Sequence, residues 1–248
     1  AAGIKQLIFV TSSSKRAIED YFDSNYELEN HLENKGKLEA LSGLRNFLPA
    51  DVSIAYVRQS APLGLGHAVL CAKHIVGNQP FAVLLPDDIM YHERDACLKS
   101  MVALYQQVGS SVLALEQIPL TDSTKYGMVA LAGDGTGHSE IKAIVEKPVP
   151  EQAPSNLAVT GRYILSPAIF DCLENTEKGV GGEIQLTDAI ADLLASEAVY
   201  GYRFPGKRFD CGSRMGFLQA TIAFALKRDD LRDRLLSYLQ ETLKDAVV

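Results

Sequence analysis

Phe81-Ala82-Val83-Leu84-Leu85-Pro86-Asp87-Asp88 carries the clearest structural signal in the chain. Five apolar residues without polar alternation read as a strand buried on both faces, the pattern of parallel sheets. Pro86 ends it, because proline has no N–H to give to a ladder. Two carboxylates then stand at the strand's carboxyl end. Gln6-Leu7-Ile8-Phe9-Val10, 52–57 and 111–117 read as further strands. Between them, Ser14 is expected to cap a helix carrying Ala17, Ile18, Tyr21 and Phe22 at helical spacing, and 26–41 reads as helical. Ala68, Val69, Ala72, Ile75 and Val76 share one helical face, and 96–108 is a further helix. This βαβαβαβ order predicts an α/β fold with a mixed, mostly parallel central sheet flanked by helices. In such sheets ligands bind at the carboxyl ends of the strands, where Asp87 lies.

Beyond Pro119 the pattern loosens. Residues 128–131, 141–145 and 157–165 read as strands, with a turn at 133–137; helices are expected at 167–173, 186–194, 217–227 and 231–243. There is no internal repeat and no low-complexity linker, so the 248 residues are read as a single domain. With 47% apolar residues there is ample material for a core. A net charge of −7 argues against nucleic acid or an anionic membrane as a bulk partner. No apolar run is long enough to cross a bilayer. Cys71, Cys97, Cys172 and Cys211 form no C-x-x-C pair, which fits small buried residues in a reducing cytoplasm. The five histidines do not cluster as metal ligands would. Ala1-Ala2-Gly3 reads as the last turn of a helix with its glycine cap, so further residues are expected before Ala1.

Several short segments carry chemistry. Gly64 and Gly66 bracket a tight turn into a helix; glycine lets a backbone approach a ligand closely, and the helix N-terminus offers free N–H groups. Read alone, they are equally two turn glycines. Gln59, with amide donors and an acceptor, can read a pyrimidine edge. Asp87 can hold Mg²⁺, which takes one or two carboxylates together with phosphate oxygens and water; it can also be a solvated loop residue. Asp88 has the weaker claim, since Mg²⁺ rarely needs both neighbours. Asp210 is the second carboxylate candidate, or simply the start of the following helix. Glu146 can accept hydrogen bonds from sugar hydroxyls, and Lys147 can neutralise a phosphate as a compact charge. Neighbours on a strand point to opposite faces, but Pro148 at the strand end permits a local turn. Gly127 can let a sugar ring lie against the backbone. The run Gly179-Val180-Gly181-Gly182 is a loop before a helix with Thr187 and Asp188, able to shape a site around Glu183.

In order, Arg58-Gln59 with Gly64-Leu65-Gly66-His67-Ala68, Leu85-Pro86-Asp87, Glu146-Lys147-Pro148, Ser155-Asn156-Leu157-Ala158-Val159 with Gly161-Arg162-Tyr163, Glu183-Ile184-Gln185-Leu186-Thr187-Asp188 and Asp210-Cys211-Gly212 form a specific set. On them the chain resembles the bacterial UTP–glucose-1-phosphate uridylyltransferases over almost its whole length. The resemblance implies a Rossmann-like nucleotide-diphospho-sugar transferase fold. It implies Mg²⁺ as cofactor, UTP and glucose 1-phosphate as small-molecule substrates, and a homodimer or homotetramer. Gln59, Gly64 and Gly66 would contact uracil; Asp87 would hold the metal, with Asp210 as the second, weaker candidate. Gly127, Glu146 and Val159 would hold glucose, and Lys147 the sugar-linked phosphate. Residues 1–118 would be the nucleotide-binding half, and 119–248 the sugar-binding half with the C-terminal helices. The family's glycine-rich G-x-G-T-R loop is not found in the sequence, so an N-terminal strand and phosphate loop are expected ahead of Ala1, and the chain without them is expected to be inactive. Two alternatives stay open: a regulatory paralogue that binds without turnover, and a relative acting on dTTP or another sugar phosphate. A nicotinamide-dependent oxidoreductase is disfavoured, because Thr11-Ser12-Ser13-Ser14 stands where its glycines would be.

Overall fold

A computed structural model describes residues 2–94, 96–133 and 137–245. The elements follow in the order β1 (Gln6–Thr11), α1 (Arg16–Phe22), α2 (Tyr26–Asn34), α3 (Leu38–Arg45), β2 (Ser53–Arg58), α4 (Leu65–Cys71), α5 (Lys73–Val76), β3 (Phe81–Leu84), β4 (Asp88–Tyr91), α6 (Cys97–Val108) and β5 (Ser111–Gln117). The second half runs β6 (Gly127–Leu131), β7 (His138–Glu146), β8 (Leu157–Leu165), α7 (Ile169–Asn175), α8 (Leu186–Leu193), β9 (Val199–Arg203), β10 (Lys207–Asp210), α9 (Arg214–Ala225) and α10 (Arg232–Asp245), with short 3₁₀ turns at 120–125, 150–152 and 180–182.

The mixed α/β character holds, but the sheet is less parallel than the sequence suggests. Only β1–β2 and β5–β9 pair in parallel; the other ladders among the described residues are antiparallel. The reason lies in β8. This long strand returns antiparallel between β5 on one edge and, on the other, β6 near Leu157–Ala158 and β3 near Arg162–Leu165. An apolar run cannot by itself report its neighbours' direction. The six-stranded sheet has the order β3-β8-β5-β9-β7-β6, and β1–β2 and β4–β10 form separate ladders.

Alternation along β5 divides the core. Leu113 and Leu115 face a cluster with Leu165, Phe170, Leu173 and the buried stripe Leu186, Ala189, Ile190 and Leu193 of α8. Val112 and Ala114 face Cys97, Met101 and Leu104 of α6. Other local expectations need correction. Ser14 does not cap α1: Lys15 holds that position, and the Ser14 hydroxyl meets Ser12 Oγ at 3.2 Å. The helical stretch expected over 26–41 is two helices, broken where Gly36 takes φ 65°. Strands β4, β9 and β10 are additional to the expected elements. Gly3 adopts φ 78°, but no helix is described before it; Ala1 and the tip of the 133–137 turn lie outside the described residues.

Candidate active site

Glycine packing shapes the first wall. Gly64 has φ 99°, and a Cβ on it would lie 2.7 Å from Glu183 Cβ. A Cβ on Gly66 would lie 2.7 Å from the Ile184 carbonyl oxygen, which accepts the Gly66 N–H at 2.9 Å; Ile184 N–H in turn donates to Leu63 O at 2.8 Å. The glycines therefore seat the start of α4 on the 183–184 segment, in addition to any contact with a ligand. Gln59 stands at the end of β2. Its Nε2 donates to Gly64 O at 3.1 Å and lies 2.9 Å from His67 Nδ1.

The same 183–188 segment leads to the second wall. A Cβ on Gly127 would meet Thr187 Oγ1 at 2.9 Å and Glu146 Oε2 at 3.4 Å, so these three residues share one small space. Gly127 and Glu146 are register partners on β6 and β7. Asp188 follows Thr187, and burial raises its carboxyl pKa, with the charges of Glu146 and Asp192 adding to the shift. Lys147 is the only described non-glycine residue at positive φ, 45°. Strand alternation would send Glu146 and Lys147 to opposite faces. The left-handed turn, held by Lys147 N–H donating to Tyr126 O at 3.0 Å, instead brings Nζ to 3.3 Å from Glu146 Oε1.

The third wall holds the carboxylates. Asp87 is exposed beyond β3, and its carbonyl accepts the Cys211 N–H at 2.7 Å. A Cβ on Gly212 would lie 3.1 Å from Asp87 Oδ2 and 3.2 Å from Asp210 Oδ1, so the two carboxylates flank a space that any larger residue would fill. Gly212 N–H donates to Asp210 Oδ1 at 3.1 Å, and Tyr126 Oη donates to Asp210 Oδ2 at 3.0 Å. The donor set is one a Mg²⁺ ion accepts: two carboxylate oxygens face one cradle, and such an ion takes one or two carboxylates together with phosphate oxygens and water.

Asp88 is not part of that cradle. It is 5% exposed, with Oδ2 accepting the Gly161 N–H at 2.6 Å and Oδ1 accepting Arg208 Nε at 2.7 Å. The Arg208 side chain, 8% exposed, also reaches Glu116 Oε2 at 3.0 Å, Tyr126 Oη at 3.4 Å and Asp210 Oδ2 at 3.7 Å. Burial alone would lower its pKa, but the hydrogen bond with Tyr126 and the Asp88 charge outweigh burial and raise it. Val159 stands apart from the other expected site residues. Its side chain is buried in the core beside Leu115, which leaves only its backbone for a sugar. Tyr126 and Arg208 were missed in the sequence, and Gly212 was read only as part of the Asp210-Cys211-Gly212 run. Arg208 and Asp210 share a strand face at i, i+2, a signal that appears only once β10 is recognised.

The structure thus brings together a glycine-seated helix start, a lysine turned onto the Glu146 carboxylate, and two aspartates flanking a glycine. The chain belongs to the nucleotidyl transferase family, whose profile matches residues 1–225. Its relatives include the UTP–glucose-1-phosphate uridylyltransferase of Bacillus subtilis strain 168, 44% identical over 243 residues (98% of this chain and 82% of the relative). The enzyme of that name from Staphylococcus epidermidis is 43% identical over 240 residues, 97% of this chain and 83% of the relative. Among solved structures, UTP-bound UGPase from Acinetobacter baumannii matches with a TM-score of 0.89 at 43% identity, covering 97% of this chain and 84% of that one. A UDP-glucose pyrophosphorylase complexed with UDP-glucose matches with a TM-score of 0.82 at 42% identity, covering 92% and 83%.

Proposed function

We propose that this protein makes UDP-glucose and pyrophosphate from UTP and glucose 1-phosphate. The observation that carries the reading is the left-handed turn at Lys147. It turns the ammonium onto Glu146 at 3.3 Å, beside the space Glu146 shares with Gly127 and Thr187, and it is held by the carbonyl of Tyr126, whose hydroxyl donates to Asp210. Relatives and structural neighbours named for this reaction support the choice of substrates.

The chemistry needs no protein nucleophile. A phosphate oxygen of glucose 1-phosphate attacks the α-phosphorus of UTP in line, and pyrophosphate leaves with the bonding electron pair. Glu146 accepts hydrogen bonds from sugar hydroxyls and fixes the angle of approach, so part of the rate comes from orientation. Lys147 holds the sugar phosphate and offsets repulsion between two anionic reactants. Gln59 presents its amide to the pyrimidine beside the Gly64–Gly66 turn, and Val159 offers its backbone to the sugar. Asp87 and Asp210 would hold Mg²⁺, which supplies charge neutralisation on phosphate oxygens when bound. Residues 1–118 form the nucleotide side of the single unit and 119–248 the sugar side.

A homodimer or homotetramer is part of this reading. It is supported by Met215, Phe217, Leu218 and Ile222, exposed on α9, and by the exposed Leu231, Leu236 and Tyr238 around α10. A cytoplasmic location is supported by four free cysteines. No described helix is long and apolar enough to cross a membrane. The test is pyrophosphate release with Mg²⁺, UTP and glucose 1-phosphate, beside the same assay on Asp87→Ala and with dTTP or galactose 1-phosphate as competitors. Release abolished by Asp87→Ala and unaffected by the competitors supports the reading. UDP-glucose binding without release would assign a regulatory paralogue instead, and preference for a competitor would reassign the substrate.

A further inference from the structure

Tyr126 links the Lys147 turn to the Asp210 carboxylate. Its carbonyl accepts the Lys147 N–H at 3.0 Å, which holds the left-handed turn, and its hydroxyl donates to Asp210 Oδ2 at 3.0 Å. The Arg208 guanidinium lies 5.0 Å over its ring and donates to the same hydroxyl at 3.4 Å. The ring thus has little freedom, and the hydroxyl arrives at Asp210 from a fixed direction. Asp210 Oδ1 is held separately by Gly212 N–H at 3.1 Å. Hydrogen bonds on both oxygens restrain rotation about the Cβ–Cγ bond and favour the orientation that turns Oδ1 toward the space it shares with Asp87.

We propose that Tyr126 is a positioning residue, whose hydroxyl locks the Asp210 carboxylate in the orientation that receives the divalent cation. The proposal rests on Asp210 being a metal carboxylate. Partners of metal-ligating carboxylates set their orientation, and losing one lowers metal affinity or activity about 10–100-fold. Tyr126→Phe removes the one hydroxyl while keeping the ring under Arg208 and the carbonyl on Lys147.

The test is Mn²⁺ binding to the protein saturated with UDP-glucose, followed by loss of the free Mn²⁺ EPR signal. Steady-state rates against Mg²⁺ concentration and the metal-free melting temperature are measured alongside. Tyr126→Phe is expected to weaken Mn²⁺ binding about tenfold and to raise the apparent KM for Mg²⁺ by a similar factor. At saturating Mg²⁺ its kcat should fall far less, and the metal-free melting temperature should stay close to wild type. Because the hydroxyl acts through Asp210, Tyr126→Phe combined with Asp210→Ala should bind Mn²⁺ no worse than Asp210→Ala alone. Additive losses in that pair would overturn the proposal, as would wild-type Mn²⁺ affinity in Tyr126→Phe when Asp210→Ala has lost it. If neither Asp87→Ala nor Asp210→Ala weakens Mn²⁺ binding, the metal site itself is refuted and the proposal with it.

Discussion

Asp87 and Asp88 are adjacent in the chain and opposite in environment, so one substitution at each separates stability from chemistry. Asp88→Ala deletes the carboxylate paired with Arg208, a side chain that is 8% exposed. Breaking a buried pair from one side costs about 3–5 kcal/mol, because the surviving charge stays in the interior. Arg208 keeps Glu116 at 3.0 Å and Asp210 at 3.7 Å, which puts its share at the low end. Gly161 N–H also loses its acceptor, a further penalty of about 1–3 kcal/mol. A total near 4 kcal/mol corresponds to a melting point lowered by roughly 8–16 °C in a chain of this size. Asp87 is exposed, and its carboxylate makes no hydrogen bond or ion pair among the described residues. Asp87→Ala should therefore change stability by no more than about 0.5 kcal/mol while abolishing turnover. The assay is thermal unfolding in metal-free buffer without substrate, followed by pyrophosphate release. An Asp88→Ala protein melting within about 2 °C of wild type would show that the Arg208 network has the wrong weight here. An Asp87→Ala protein as unstable as Asp88→Ala would show that the two roles are not separate.

Lys147→Ala should cut turnover strongly and leave the fold intact. Lys147→Gly should be equally inactive but more stable than Lys147→Ala by about 1 kcal/mol, since only glycine takes a φ of 45° without strain; equal melting points would argue against strain at this turn. Gly127→Ala would drive a methyl group into Thr187 and Glu146, so the KM for glucose 1-phosphate should rise while that for UTP changes little; an unchanged sugar KM would remove Gly127 from the sugar space. Burial raises the Asp188 pKa in the fold, so the folded protein binds that proton more readily than the unfolded chain, and stability falls as pH rises through the window between the two values. Asp188→Asn should therefore raise the melting temperature at neutral pH. The gain should fade as pH drops below the ordinary carboxyl value of about 4; a gain independent of pH would assign it to packing instead.

Much of this site was legible because its residues announce themselves by type and place. An apolar run stopped by Pro86 puts Asp87 at a strand end whatever the neighbouring strand's direction. Pro148 signalled the turn that brings Lys147 onto Glu146. What the sequence hid depends on pairing. Strand β10 is short, and its charged residues give no apolar alternation, so Arg208 and Asp210 were not seen to share a face. Without that, neither the ion pair with Asp88 nor the Tyr126 contact could be inferred. The glycines at 64 and 66 were read for a ligand, yet the backbone of Ile184 occupies the space their side chains would need. That partner is more than a hundred residues away in the chain, beyond any local pattern. Val159 was named for the sugar only by the family resemblance, and nothing in the sequence showed that its side chain would be buried in the core beside Leu115.

The ladder between β4 and β10 pairs Asp88 with Asp210, and its ion pair joins residues 120 apart. Half of the carboxylate cradle is thus made early in synthesis and half late. At about 5–20 residues per second, roughly 6–24 s separate the two halves on the ribosome. During that interval the Asp88 carboxylate lacks Arg208, and Asp87 has no partner across the glycine. The nascent chain can therefore build its large sheet up to β8 before the two carboxylates proposed to hold the cation meet. Closing so long a loop is slow compared with forming local helices, so the metal affinity proposed for this cradle should be acquired in one of the last steps of maturation.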